Sequence, residues 1–378
     1  MDSEGTAAPS TEVAFAASGA AARELARALG VTRVARVTGL DRTGVEVACA
    51  IRPGGHILQI CNGKGLTFER AALGALLETA ELWAAEHVDQ SRLIWGARAD
   101  LPEAWDAAAL GSAGELVAPE LWSQETRVAW LPARELHSGA QVLVPAQAVH
   151  CPPPGGPLLG PAVIRWSTNG SGAHPQRALA LRHALLEAAE RDQLARALPQ
   201  GWTARAVRAR MLVPATLPPQ VRSLVARIEA RGFRAHLFDL SSKLSLAGAL
   251  LVDLEEGPLP LTAGYACGER PEEALLGALL EAAQSRLTDI HGAREDVAPA
   301  EDSSGLLALS LACARTRPSR SAAGMPRATL SAVLRSPIAI VDLSAPGVHL
   351  SAPGVHLAAP RVHVVKVVAP SFRLSGLL

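Results

Sequence analysis

Ala184-Leu185-Leu186-Glu187-Ala188-Ala189-Glu190 is one of three versions of a single segment. Ala75-Leu76-Leu77-Glu78-Thr79-Ala80-Glu81 precedes it and Ala278-Leu279-Leu280-Glu281-Ala282-Ala283-Gln284 follows. The first glutamates of successive copies stand 109 and then 94 positions apart, far too long a period for a solenoid. In each copy the leucines and alanines fall at helical spacing, as in Leu73, Leu76, Leu77 and Ala80. Each is preceded by glycines that predict a turn: Gly63-Lys64-Gly65, Asn169-Gly170-Ser171-Gly172 and Cys267-Gly268. Strand material lies upstream, at Val34–Val47 and Ile57–Cys61 for the first copy. The expectation is an α/β fold of three strand–turn–helix units packed on mixed sheets.

A second stripe runs beside each apolar face at i, i+4, i+7: Gly74-Glu78-Glu81, His183-Glu187-Glu190 and Gly277-Glu281-Gln284. Residues so spaced project from one side of a helix. One glutamate on an alanine-rich helix is ordinary surface, but three stripes in matching phase point to convergence. Five half-desolvated carboxylates and an amide repel one another unless a cation neutralises them. Oxygen donors without His or Cys suit Mg²⁺, which shares its shell with phosphate oxygens. An Mg-nucleotide site between the helices is therefore expected. It is not a P-loop, because GxxxxGK[ST] needs Gly and Ser or Thr where the chain has Leu58 and Gly65. Gly65 would lie about 20 Å along a helix from Glu78, so turn and carboxylates meet one phosphate only across different repeats.

Composition sets the outer limits. The 378 residues carry 36 basic and 36 acidic side chains, and 49% are hydrophobic. Zero net charge argues against a nucleic-acid partner, and the apolar content excludes global disorder. No apolar run approaches the roughly 18 residues of a membrane span, and the acidic N-terminus MDSEGTAAPSTEV lacks a basic signal region, so a cytoplasmic chain is expected. The odd number of cysteines (Cys49, Cys61, Cys151, Cys267, Cys313) without CxxC spacing is neither a disulfide framework nor a zinc site.

Residues 1–17 read as a disordered tail before a helix Ala20–Leu29 capped by Gly30. The rest, 18–378, reads as one domain, with Cys151–Pro161 as a proline-rich connection. Residues 297–327 form an expected irregular segment. SAPGVHL at Ser344–Leu350 repeats at Ser351–Leu357 and decays at Ala358–Val364, giving an expected loop at 344–364. His349, His356 and His363 recur every seven residues there; an odd spacing alternates strand faces, so sequence slippage is preferred to a metal site.

These same motifs resemble the YcaO family of ATP-dependent peptide-backbone-modifying enzymes. Val37-Thr-Gly-Leu-Asp-Arg-Thr-Gly44, Asn62-Gly-Lys-Gly-Leu66 and the Glu78/Glu81 helix are similar to its opening motif. Thr168-Asn-Gly170 through Glu187-Ala-Ala-Glu-Arg-Asp192 resembles its TNG…ExxERD segment, and Glu281-Ala-Ala-Gln-Ser-Arg286 with Gly292-Ala-Arg-Glu-Asp296 its third. The resemblance implies a YcaO-type fold and a reaction in which a nucleophile attacks a peptide amide whose oxygen is phosphorylated by ATP. It implies Glu78, Glu81, Glu187 and Glu190 as metal or phosphate ligands, with Glu78, Glu187 and Glu190 central to catalysis. It also implies Arg42, Lys64, Asn169, Arg191, Glu281, Gln284 and Arg286 as nucleotide contacts.

Azoline-forming members often end in a proline-rich tail, which Ala369-Pro-Ser-Phe-Arg-Leu-Ser-Gly-Leu-Leu378 does not resemble. The first block and Leu131-Pro-Ala-Arg-Glu-Leu-His-Ser-Gly139 look most like members associated with TfuA-type partners, which install thioamides from sulfide. Expected partners are thus a peptide or protein substrate, a TfuA-like protein and a second copy of the chain as a homodimer. Gly74 stands where the family usually has Ser. Azoline formation and a degenerate, non-catalytic nucleotide-binding scaffold are the alternatives.

Overall fold

The computed structural model describes residues 19–110, 114–255, 257, 259–292, 303–344 and 362–375. The expected tail and residues 345–361 of the SAPGVHL loop lie outside the described residues. In chain order, α1 (Gly19–Ala28) leads into β1 (Arg33–Arg36), β2 (Glu46–Ile51), β3 (Ile60–Gly65) and α2 (Phe68–Glu86). Gly30 follows α1 at φ +73°, as a helix-ending glycine should. Next come β4 (Ile94–Ala97), β5 (Gly114–Leu116), β6 (Arg127–Glu135), β7 (Gln141–Pro145), β8 (Ile164–Trp166), β9 (Ser171–His174) and α3 (Arg177–Ala197). After α4 (Ala204–Arg210) and α5 (Pro219–Glu229) the meander β10 (Phe233–Asp239), β11 (Ser245–Asp253), β12 (Leu261–Gly268) feeds α6 (Pro271–His291). The chain closes through α7 (Ser303–Arg315), α8 (Leu330–Val333), β13 (Ala339–Asp342) and β14 (His363–Val368).

The three repeats are thus three strand–helix units: β3 with α2, β9 with α3, β12 with α6. β3 and β12 end antiparallel three-stranded sheets (β1-β2-β3 and β10-β11-β12), while β9 ends the larger order β4-β6-β13-β14-β9, to which β7 adds on β6. Each helix packs on its own strand and on the next unit's: α2 on β3 and β9, α3 on β9 and β12, α6 on β12 and back on β3. The ring closes. A helix covered on two sides needs apolar residues around most of its circumference, which is why α6 buries Ala274, Leu275, Ala278, Leu279, Ala282 and Ala283 together. Among the described residues no helix is long and apolar enough to cross a membrane.

Two expectations are corrected. Gly63-Lys64-Gly65, Gly172 and Cys267-Gly268 are strand residues, not turns. They are needed for close approach: a Cβ at Gly63 would collide with Ala71 O and Ala75 N, at Gly172 with Ala180 O, and at Gly264 with Ala282 N. Each helix backbone therefore crosses its strand at a glycine, with alanine on the helix side. Likewise 297–327 is not irregular throughout, because Ser303–Arg315 is helical. Leu306, Leu309, Ala312 and Cys313 bind it to the core around Val207, Phe238 and Tyr265, and that burial outweighs the Ser-Ser-Gly start.

Candidate functional site

The strands run back along the helices that follow them, so strand amides face helix carboxylates. Asn62 N donates to Glu78 Oε2 at 3.0 Å within the first unit. Ala173 N on β9 donates to Glu81 Oε1 at 2.8 Å, and Cys267 N on β12 donates to Glu190 Oε2 at 2.9 Å. The second glutamate of a copy thus reaches the strand of the next unit. In the third copy Gln284 O accepts from Thr288 Oγ1 (3.0 Å), which receives Asn62 Nδ2 from β3 at 2.7 Å. Lys64 of the first unit forms an ion pair with Glu281 of the third, and Arg191 stands 3.8 Å from Glu187. The repeats do meet across units, as expected. The Asn62–Glu78 bond shows that strand and carboxylate of one unit also touch, because the strand doubles back.

The assembly is short of positive charge. Burial, then repulsion from Glu187 and Glu78, pushes Glu81 well above the usual carboxylate range. Burial raises Glu187 against the pull of Arg191, Lys366 and Lys64, and raises Glu190 to about 7. Burial also lowers Lys64, although Glu190 and Glu78 oppose it. The side chains remain partly open to solvent, Glu187 at 19% and Glu281 at 27%, so they line a recess rather than a sealed core. Arg191 Nε is buried without a hydrogen-bond partner. Among the described residues no three acidic, imidazole or thiol groups are drawn together as a finished metal cage. The glutamates form an open set of oxygen donors whose charge a divalent cation would neutralise. Those residues fit Mg²⁺ carrying phosphate oxygens.

Lys366 was not anticipated. It enters from β14, fully buried, and its Nζ donates to Ser167 O and to Asn169 O (2.7 Å) while lying 5.3 Å over the Trp166 ring. Burial lowers it to about 8, with Glu187 and Glu81 holding the charge against that. Its signal in the sequence was a lone cation in the strand His363-Val-Val-Lys-Val-Val368. Asn169, expected at the nucleotide, sits buried in the β8–β9 turn and fixes this lysine through its carbonyl.

Arg42 and Arg286 are paired with acids of their own. Arg286 Nε donates to Asp41 Oδ1 (2.9 Å) and Nη2 to Asp253 Oδ2 (2.7 Å), its remaining nitrogen reaching Leu259 O. The side chain is 2% exposed and each of its three nitrogens makes one of these bonds, so three of its five N–H groups are held by Asp41, Asp253 and Leu259. Arg42 pairs with Asp253 (2.6 Å) and Glu255 (3.2 Å) but stays 39% exposed. Gln284 is half-buried on α6 beside the recess.

Comparison with known proteins agrees with this geometry. A family model described as YcaO cyclodehydratase, ATP- and Mg²⁺-binding, matches residues 62–373. An uncharacterized protein of Methanothermobacter thermautotrophicus is 32% identical over 284 residues, 72% of this chain and 70% of its own. One from Rhizobium leguminosarum bv. trifolii, described as lying in the tfuA 3′ region, is 30% identical over 293 residues, 74% and 67% of the two chains. Among solved structures, YcaO from Methanopyrus kandleri bound with AMPPCP and Mg²⁺ superposes with a TM-score of 0.65. It is 22% identical, with 92% of this chain and 87% of that one covered, a likeness of fold.

Proposed function

From the premise that the chain belongs to the YcaO family, we propose that it activates a peptide-backbone amide for thioamide formation. ATP and Mg²⁺ are the cofactors of this family. Bound here, they would supply a phosphoryl group that makes the amide oxygen a good leaving group and the charge that steadies its transfer. Glu78, Glu81, Glu187 and Glu190 are the residues assigned to hold the metal. Lys64 and Arg191 are assigned to phosphate oxygens, the arginine by paired hydrogen bonds and the lysine as a point charge. Lys366 keeps part of the carboxylate charge balanced before the ligand arrives.

The observation that carries the thioamide reading is the tfuA neighbourhood of a relative aligned over 74% of this chain. On this reading the attacking sulfur is external, a sulfide, and the target peptide needs no Cys, Ser or Thr beside the modified amide. Mass spectrometry tests this on a peptide lacking those three residues, incubated with ATP, Mg²⁺, sulfide and a TfuA-like protein. The expected product is heavier by the exchange of one oxygen for sulfur. The family description as a cyclodehydratase favours azoline formation as the second reading. Loss of one water from a Cys- or Ser-containing peptide without sulfide would establish it and discard the thioamide.

A further inference from the structure

On the far side of α3 from the glutamates lies a groove of about 480 Å³. At about 100° per residue, Asp192 and Arg196 stand on the face of that helix turned away from Glu187 and Glu190. The groove is floored by Leu244, Val333, Leu334 and Phe372, and its rim carries Lys243 and Arg335. Both cations are exposed, and neither has an ion pair among the described residues. The acid in the groove is already spent: Asp192 binds Arg196 at 2.8 Å and accepts from Arg373 N at 3.0 Å. An apolar floor under unpaired positive charge favours a ligand that is acidic and carries an apolar side chain.

One wall is fixed firmly. Gln193 Oε1 accepts from Ser242 N (3.0 Å), Ser242 Oγ (2.6 Å) and Lys243 N (3.1 Å). Its Nε2 reaches Cys267 Sγ at 3.5 Å, on the residue whose backbone N–H binds Glu190. The β10–β11 turn, α3 and the end of β12 are thereby tied together, and the groove stands about one helix diameter from the carboxylate recess.

We infer that this groove is a recognition site for an acidic segment of the peptide or protein substrate, anchored by an apolar side chain away from the reacting amide. The inference rests on the peptide-modifying reading for the word substrate, but the binding itself does not need nucleotide. A segment held there would gain local concentration at the recess without occupying it.

Fluorescence polarisation on the full chain, without ATP or Mg²⁺, tests it. The probe is a labelled short peptide alternating acidic and apolar residues, compared with a twin carrying lysine at the acidic positions. The acidic probe should bind saturably, and its twin about tenfold more weakly or worse. Lys243→Glu with Arg335→Glu, both on exposed side chains, should weaken the acidic probe by about tenfold or more and favour the twin. Val333→Asp should weaken the acidic probe as well. Equal binding of the two probes, or an affinity unmoved by the double charge reversal, would overturn the proposal. So would displacement by Mg-ATP, which would put the peptide in the recess. Binding that appears only after removal of residues 376–378 would assign the groove to the chain's own end instead.

Discussion

Two charged clusters in this molecule use similar ingredients and end in opposite states. Around β11, Arg42 and Arg286 face Asp41 and Asp253, both guanidiniums lying 4.9 Å over the Phe233 ring. Burial pushes Asp253 up, but the Glu255 N–H and the two arginines outweigh it, and the carboxyl ends below its ordinary range. In the recess the balance goes the other way. Five glutamates share Lys64, Arg191 and Lys366, and Glu81, Glu187 and Glu190 end above their ordinary range. A cluster that neutralises itself needs no added cation. One that holds unneutralised carboxylates in a solvent-reachable recess carries a cost to the apo fold, and a cation would relieve it.

The sharpest way to break this contrast is to remove one carboxylate charge from the recess. Glu78→Gln or Glu187→Gln should lower Mg-dependent nucleotide affinity by about a hundredfold or more, some 3 kcal/mol. The apo melting temperature should hold or rise, since self-repulsion is relieved. Calorimetry showing unchanged Mg-ATP affinity in both variants would refute the site assignment.

The same operation on the other cluster should do the reverse. Arg286→Met leaves Asp41 and Asp253 buried with one guanidinium fewer, costing about 3–5 kcal/mol and roughly 5 °C in Tm. Nucleotide affinity of the folded fraction should change little. Adding Asp41→Asn and Asp253→Asn to Arg286→Met should recover part of the loss. A triple variant no more stable than the single one would mean that packing over Phe233, rather than charge, holds this region.

The contrast also explains what the sequence could reveal. The three units were legible because each writes the same helix in the same phase, so Glu78, Glu81, Glu187, Glu190 and Glu281 could be grouped before any coordinates. Arg191 and Arg286 could not be told apart that way: each follows a glutamate stripe on its helix. What separates them is Asp41, 245 positions from Arg286 in the chain and 2.9 Å away in space. The glycines before each helix looked like turns because turn glycines and crossing glycines have the same composition. Only the approach of the Ala71–Ala75 backbone to Gly63 distinguishes them. Lys366 was visible as a cation in an apolar strand, yet its partners Ser167 and Asn169 lie on another strand's approach and carry no pattern of their own. The polar start of α7 hides a helix whose stability comes from the burial of Leu306, Leu309, Ala312 and Cys313 against a distant core.

The finest test of the contrast is pH, and it needs a difference measurement. Burial holds Glu190 up at about 7 in the fold, whereas an unfolded glutamate titrates near its ordinary value of 4.5. Between those limits the native carboxyl keeps a proton that the unfolded chain has released, so this group's stabilising contribution falls as pH rises. It is fully present below about 4.5 and lost once pH passes about 7, a change of roughly 3 kcal/mol. His150 and His236 act oppositely. Burial lowers each to about 4, so the unfolded chain binds their protons more readily and stability rises with pH up to about 6.5. The parent protein's slope mixes these effects. Subtracting the stability-versus-pH curve of Glu190→Gln, which keeps an oxygen for the Cys267 amide, isolates the glutamate. The difference curve should fall from pH 4.5 to 7 in the apo protein and flatten when Mg²⁺ and an ATP analogue are added. A difference curve flat without ligand would mean that Glu190 is already neutralised by Arg191 and Lys64, and the recess would then resemble the cluster at β11.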